Sequence, residues 1–240
     1  MRWPGVVTFR FDDQGTIDAC PESGLDPAQV TDLCRRSVEP IVRQALGSET
    51  LHASAVRADV GVLAFSGERE SGKSTIAYSL SRRGFPQYAD DAVVMRMDGD
   101  RVAALDLSFG VRLRPEPARL FGFDAAHTKP LHDVLPLNLA GSDDTTTPLA
   151  AIFVLGRHAS GLPRATRLTP GTAFTAILAH AHCFDPVDPV GRQRLLENYL
   201  GIADRVPVFD LRFASGLDGL DAVLDCIEGA VGARAPVPCS

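Results

Sequence analysis

Lysine is nearly missing from this chain: of its 24 lysines and arginines, only Lys73 and Lys129 are lysines. No block of basic residues occurs, and the formal net charge is −6. Both facts argue against a polyanion-binding surface, so nucleic acid is not an expected partner. Long apolar runs are also lacking. None approaches the ~18 residues of a membrane span, and the N-terminal MRWPGVVTFRFDDQG has no signal-peptide core. The expectation is a cytoplasmic protein with no membrane partner. Cysteine is sparse: the five residues Cys20, Cys34, Cys183, Cys226 and Cys239 are odd in number and far apart. Without a C-x-x-C pair, neither a zinc ribbon nor a redox dithiol is indicated, and a reduced compartment is the default. Disorder is not indicated either, at 45% hydrophobic and 22% charged residues. A length of 240 residues suits one α/β domain with a small appendage.

One of the two lysines stands in a meaningful place. Gly67-Glu68-Arg69-Glu70-Ser71-Gly72-Lys73-Ser74 is a complete G-x-x-x-x-G-K-[ST] loop. It follows the apolar run Val62–Phe65 and opens a helical run from Thr75 to Arg83, the strand–loop–helix context the motif requires. Glycines let successive N–H groups point inward at phosphate oxygens, and the helix start adds partial positive charge. By this reading Gly67 to Thr75 bind a nucleoside triphosphate. Lys73 reaches the β- and γ-phosphates, and the Ser74 hydroxyl takes a place on Mg²⁺.

The rest of the chain reads as alternating strands and helices. Val6–Phe11 is an expected strand, with Asp12 and Asp13 as turn carboxylates. Asp26-Pro27 starts a helical run that Pro40 should interrupt near residue 39. Strands are expected at 51–56 and 60–66, and a strand from Phe85 ends in Asp90-Asp91. A hairpin is expected at Val93–Met97 and Arg101–Leu105. Gly110–Pro115 reads as extended and Glu116–Phe121 as a short helix. Residues 124–148 show no period, which fits either a mobile substrate loop or disorder. Ala150–Leu155 and Arg164–Leu168 are expected strands. Thr169-Pro170 caps an expected helix through His182, on which His180 and His182 would take opposite sides. Asp188-Pro189 caps another, Val206–Phe213 is a strand, and Leu217–Val231 is the last helix.

A loop of this kind indicates binding only; Asp90-Asp91 adds chemistry. Asp91 lies 18 residues after Lys73. A strand, helix and return strand would bring both carboxylates back beside the loop mouth. One acid can hold Mg²⁺, and the other can take a proton from an attacking hydroxyl. His52 lies 21 residues before Lys73, on the strand paired with the one feeding the loop. There it could orient the catalytic carboxylate, or be an ordinary structural histidine.

The stretch LHASAV…FSGERESGKSTIAYSLSRRGFPQYADDAVVM resembles the C-terminal catalytic domain of the HPr kinase/phosphorylase family. It also resembles smaller relatives in peptide-modification gene clusters, including kinases of lasso peptide precursors. More remotely it is similar to the ATP-dependent phosphoenolpyruvate carboxykinases. The resemblance implies an α/β fold with a mixed sheet flanked by helices and a phosphate loop, with ATP and Mg²⁺ as cofactors. It matches His52 to the family's active-site histidine, Lys73 to the loop lysine and Ser74 to the metal-binding hydroxyl. Asp91 matches the aspartate that takes the substrate serine's proton, with Asp90 beside it at the metal. The chain departs from that family in three ways. Arg69-Glu70 stands where the family loop has Ser-Gly. Residues 1–50 are shorter than the family's N-terminal domain. The glutamate-arginine-glycine signature after the aspartates is absent. HPr is therefore not expected as the substrate.

The expected organisation is a strand-and-helix appendage at 1–50, a catalytic domain at 51–231 and a frayed tail at 232–240. The expected activity is transfer of the γ-phosphoryl group to a serine of a small peptide or protein, with Arg112, Arg114 and Lys129 as candidate substrate contacts. Free serine or another small hydroxyl metabolite stays open as the acceptor, as does a nucleotide-binding regulatory module without turnover. A homo-oligomer also stays open.

Overall fold

The structure, a computed structural model, describes residues 1–12, 14–22, 26–107, 146–184, 187–216 and 218–236. Arg112, Arg114 and Lys129 lie outside the described residues, as do the expected extended segment Gly110–Pro115, the short helix Glu116–Phe121 and residues 124–145.

The N-terminal segment builds a small unit of its own. β1 (Arg2–Trp3), β2 (Val7–Phe11) and β3 (Ile17–Pro21) form an antiparallel three-stranded sheet. The turn after β2 is closed by Asp12, whose carboxylate accepts the N–H groups of Gln14 and Thr16. α1 (Pro27–Leu33) starts as expected, with Asp26 accepting the N–H of Ala28 and proline in the first turn. The expected break before Pro40 takes a different form. The chain stays helical through a widened π-type turn, Cys34–Val38, into α2 (Glu39–Ala45), and the N–H of Glu39 reaches the carbonyl of Cys34. Pro40 has no N–H to give; the extra residue in the turn carries the helix past it. Val7, Phe9, Ile17, Val30, Cys34, Val38 and Val42 form the core of this unit.

The main sheet has nine strands. Its centre is β10 (Thr146–His158), longer than the expected 150–155. The first residues of β10 pair antiparallel with β9 (Arg101–Leu105), which forms the expected hairpin with β8 (Val93–Asp98). The body of β10 lies parallel to β6 (Gly61–Gly67) on one side and to β12 (Val208–Ala214) on the other. β4 (Glu49–Leu51) extends the hairpin, β11 (Arg164–Arg167) pairs with β12, and β5 (Ala53–Ala58) pairs with β6. β7 (Gln87–Ala89) pairs with β5 and not with β6, so the strand returning from the loop helix sits one position further out than simple adjacency predicts. It still runs parallel to β6, because β5 is antiparallel to both.

Helices cover both faces. Along β6, Val62 and Ala64 face α4 (Pro170–Leu178) and α5 (Pro189–Arg205), whose Ile177, Leu195, Tyr199 and Ile202 close one core. Leu63 and Phe65 face α3 (Lys73–Arg82) and α6 (Leu220–Val231), through Ile76, Leu80, Val223, Leu224 and Ile227. This alternation is the period-two rule of a strand covered on both sides. Phe65, Phe153 and Phe209 stack across three neighbouring strands, at centroid distances of 5.6 and 5.1 Å. Among the described residues no helix is long and apolar enough to cross a membrane.

One buried contact joins α5 to β4. Tyr199 is fully buried, and its hydroxyl donates to the carbonyl of Thr50 at 2.7 Å. Tyr199→Phe should cost about 0.5–1.5 kcal/mol. In a urea titration the midpoint should fall while the slope stays unchanged.

Candidate functional site

The site is assembled where β6 ends. Gly67, paired with Leu155 of β10, leads into the loop that closes on α3. Its φ is 150°, and a Cβ there would lie 2.9 Å from Ser71 Oγ and 3.0 Å from the Leu155 carbonyl oxygen. Gly72 caps α3 at φ 104° and gives no side-chain cap, and no acidic residue occupies the first turn. The first N–H groups of a helix have no partner within it. Here they form an open, electropositive end suited to an anion.

The side chains around this end are ordered by one another. Lys73 is buried and donates to the carbonyls of Gly67 and Glu68, at 2.8 and 3.0 Å. Ser74 Oγ donates to Asp90 Oδ1 at 2.8 Å, and Ser54 Oγ donates to the same oxygen at 2.7 Å. Asp90 is only 3% exposed. Ser71 Oγ is buried and has no hydrogen-bond partner among the described residues. A buried hydroxyl left unpaired costs free energy unless an acceptor arrives. That orphan, together with glycines whose Cβ atoms would fill the cradle, fits a phosphate group. Ser74 and Asp90 supply the hard oxygen ligands that Mg²⁺ takes, usually one or two from protein and the rest from phosphate and water. Among the described residues, no three His, Cys, Asp or Glu side chains converge into a self-sufficient metal cage.

Asp91 points the other way. Its side chain is 69% exposed, and its backbone takes φ 74°, a left-handed conformation in a residue that is not glycine. His52 holds it: Nδ1 donates to the Asp91 carbonyl at 3.0 Å and lies 3.3 Å from the carboxylate. The neighbouring acids thus divide, Asp90 inward against Ser74 and Asp91 outward beside His52. The sequence-derived residues Lys73, Ser74, Asp90, Asp91 and His52 are therefore gathered at one edge of the sheet. Glu68, Arg69 and Glu70 are exposed on the loop, and Thr75 follows in the first turn of α3.

Three contributors were not singled out from the sequence. Ser54 is two residues beyond His52, and period two alone would put both on the same side. Arg157 donates to the Ser71 carbonyl at 2.9 Å and to the Ala214 carbonyl at 3.1 Å, over the Phe213 ring. It lies just beyond the β10 residue paired with Gly67, so a cation at the end of the next parallel strand was the available signal. The third is the segment after α4. The expected helix through His182 ends at Leu178, and a hydrogen-bonded turn at Ala179 and His180 follows it. His180 accepts the N–H of His52 and His182 donates its N–H to Thr50, so Leu51 and Ala181 face each other as in a sheet. Both histidines therefore lie beyond the helix, so the expected placement on its opposite sides does not apply. Burial pushes both imidazoles below their ordinary pKa. For His180, Glu68 opposes this while Lys73 and His52 add to it; for His182, His52 adds to it and Asp91 opposes it.

No protein-family model matches this chain, and no curated protein matches it. Among solved structures, the HPr(Ser) kinase/phosphatase from Coxiella burnetii is similar over 75% of this chain and 95% of that one. The identity is 14% and the TM-score 0.35. A likeness this loose carries no argument about chemistry, which has to come from the residues themselves.

Two outcomes are expected from this geometry. Glu70 has a φ of 68°. Glu70→Gly removes the cost of a side chain there and should raise stability by about 0.5–1 kcal/mol in a thermal melt. The second concerns acid. A depressed folded-state pKa gives stability that is present above the ordinary 6.5 and lost as pH falls through the lowered value. His182→Phe should therefore lose less stability than the wild type between about pH 7 and about pH 5.

Proposed function

We propose that this chain is an ATP- and Mg²⁺-dependent phosphotransferase whose acceptor is a serine hydroxyl of a small peptide or protein. The observation that carries this reading is the Ser74–Asp90 bond at the open end of α3, with Asp91 exposed next to it and tied to His52. Nucleotide binding alone does not need a second, outward carboxylate. The resemblance of residues 51–95 to the HPr kinase catalytic domain supports the same reading. In this proposal the catalytic domain is residues 51–231, with 1–50 as its appendage and 232–240 as its tail.

Each residue has a defined task. The N–H groups at the start of α3 and the Ser71 hydroxyl bind phosphate oxygens. Lys73 leaves the Gly67 and Glu68 carbonyls to neutralise charge on those oxygens. Ser74 and Asp90 hold Mg²⁺, which offsets the negative charge of the phosphates. Asp91 takes the proton of the attacking hydroxyl, and its exposure leaves room for an acceptor to approach. His52 keeps the Asp91 carboxylate aimed. Arg157 braces the loop through the Ser71 carbonyl.

The test compares wild type, Asp91→Asn and Lys73→Ala by MgATP binding calorimetry and by radiolabel transfer to serine peptides and to free serine. Asp91→Asn should bind MgATP as the wild type does and lose about 10²–10⁴-fold in transfer rate. Lys73→Ala should lose both. Transfer by Asp91→Asn at the wild-type rate would sink the proposal. Labelling of free serine in preference to every peptide would move the acceptor to a small metabolite.

A further inference from the structure

His52 presents an unsolved positioning problem. The second side-chain torsion of a histidine is broad and roughly two-fold, so a half-turn exchanges Nδ1 for a carbon. Its side chain is 33% exposed, and only one ring orientation brings Nδ1 to the Asp91 carbonyl. That carbonyl belongs to a backbone in a strained left-handed conformation, which persists only where its surroundings over-determine it.

The segment that follows α4 supplies the missing constraint. The His182 ring meets the His52 ring edge-on, with centroids 5.6 Å apart and planes at 85°. His182 also lies parallel to Phe184, at 5.3 Å and 7°. Both are preferred aromatic geometries. The same segment pins the backbone around His52: the His52 N–H donates to the His180 carbonyl at 2.9 Å, and the His182 N–H donates to Thr50 at 2.8 Å. Among the described residues the His182 imidazole itself makes no hydrogen bond, so its contribution is as a wall. We infer that His182 is a positioning residue: stacked on Phe184, its ring holds the His52 imidazole in the orientation from which Nδ1 donates to Asp91.

This inference rests on the phosphotransferase reading for its consequence but not for its geometry, and the experiment separates the two. Imidazole nitrogen spectra are recorded on the full chain, without nucleotide, at about pH 8. Wild type and His182→Phe should show His52 as the Nδ1–H tautomer. His182→Ala should lose that preference and move toward the Nε2–H form of a free imidazole. In transfer assays His182→Ala should lose about tenfold in kcat with KM for MgATP unchanged, and His182→Phe should stay within about threefold of wild type. Retention of the Nδ1–H form and full kcat in His182→Ala would overturn the role. So would equal damage in both variants with KM rising in step. If the wild type transfers nothing, the phosphotransferase reading fails by itself. The nitrogen spectra then decide on His182, with tautomer loss in the alanine variant upholding it and retention overturning it.

Discussion

The rest of the site depends on one oxygen atom. Asp90 Oδ1 receives hydroxyls from Ser54 on β5 and Ser74 on α3, in a place nearly closed to solvent. Hydrogen bonds to a carboxylate are stronger than neutral ones, and a buried carboxylate without them would be costly. The node therefore joins three elements: the strand beside β6, the helix after the loop, and the turn after β7. It also dictates topology. For Asp90 to reach Ser74, β7 must end at the same edge as β6. An antiparallel β5 between them satisfies this and brings Ser54 into the gap.

β10 frames the opposite side of that edge. It pairs antiparallel with β9 at its start and parallel with β6 and β12 along its body, so one strand belongs to two differently directed halves of the sheet. The row Phe65, Phe153 and Phe209 locks the parallel half in register. A one-residue slip would put these rings on the wrong face. Correct register then delivers Arg157 near the end of β10, two residues beyond the partner of Gly67, where it can reach Ser71. Core packing and loop geometry are thus linked through strand register, and no separate interaction is needed to align them.

Much of this was readable from residue order because local and global preferences agree. The run Val62–Phe65, the glycines at 67 and 72 and the helix behind them form a self-consistent unit, and the hairpin at 93–105 is equally explicit. The spacing from Lys73 to Asp90 and Asp91 indicated a return to the loop, though not the strand lying between. The misreadings occur where tertiary pairing outweighs propensity. The alanines and apolar residues of AFTAILAHAH continue a helical pattern, yet the helix ends at Leu178 and, after a turn, Ala181 pairs with Leu51. The π-type turn before Pro40 has no sequence sign apart from the proline itself. Ser54 and Arg157 passed unnoticed because each acts through a neighbouring strand, which no local pattern reports.

Among the described residues, the two non-glycine positions with positive φ, Glu70 and Asp91, both belong to this edge. Strain of this kind survives where surrounding contacts enforce it, and it concentrates where function constrains the backbone. The two cases differ in what enforces them. Glu70 is exposed on the loop crown, on the tight path between Gly67 and Gly72. Asp91 is held from outside, by the His52 ring on its carbonyl. The left-handed turn lets two adjacent acids serve two places, with one carboxylate sealed against hydroxyls and the next open to solvent. An unstrained extended residue would continue the line of β7 and carry the second acid away along the strand. The strain at Asp91 is therefore the cost of keeping a buried acid and an accessible one within a single peptide unit.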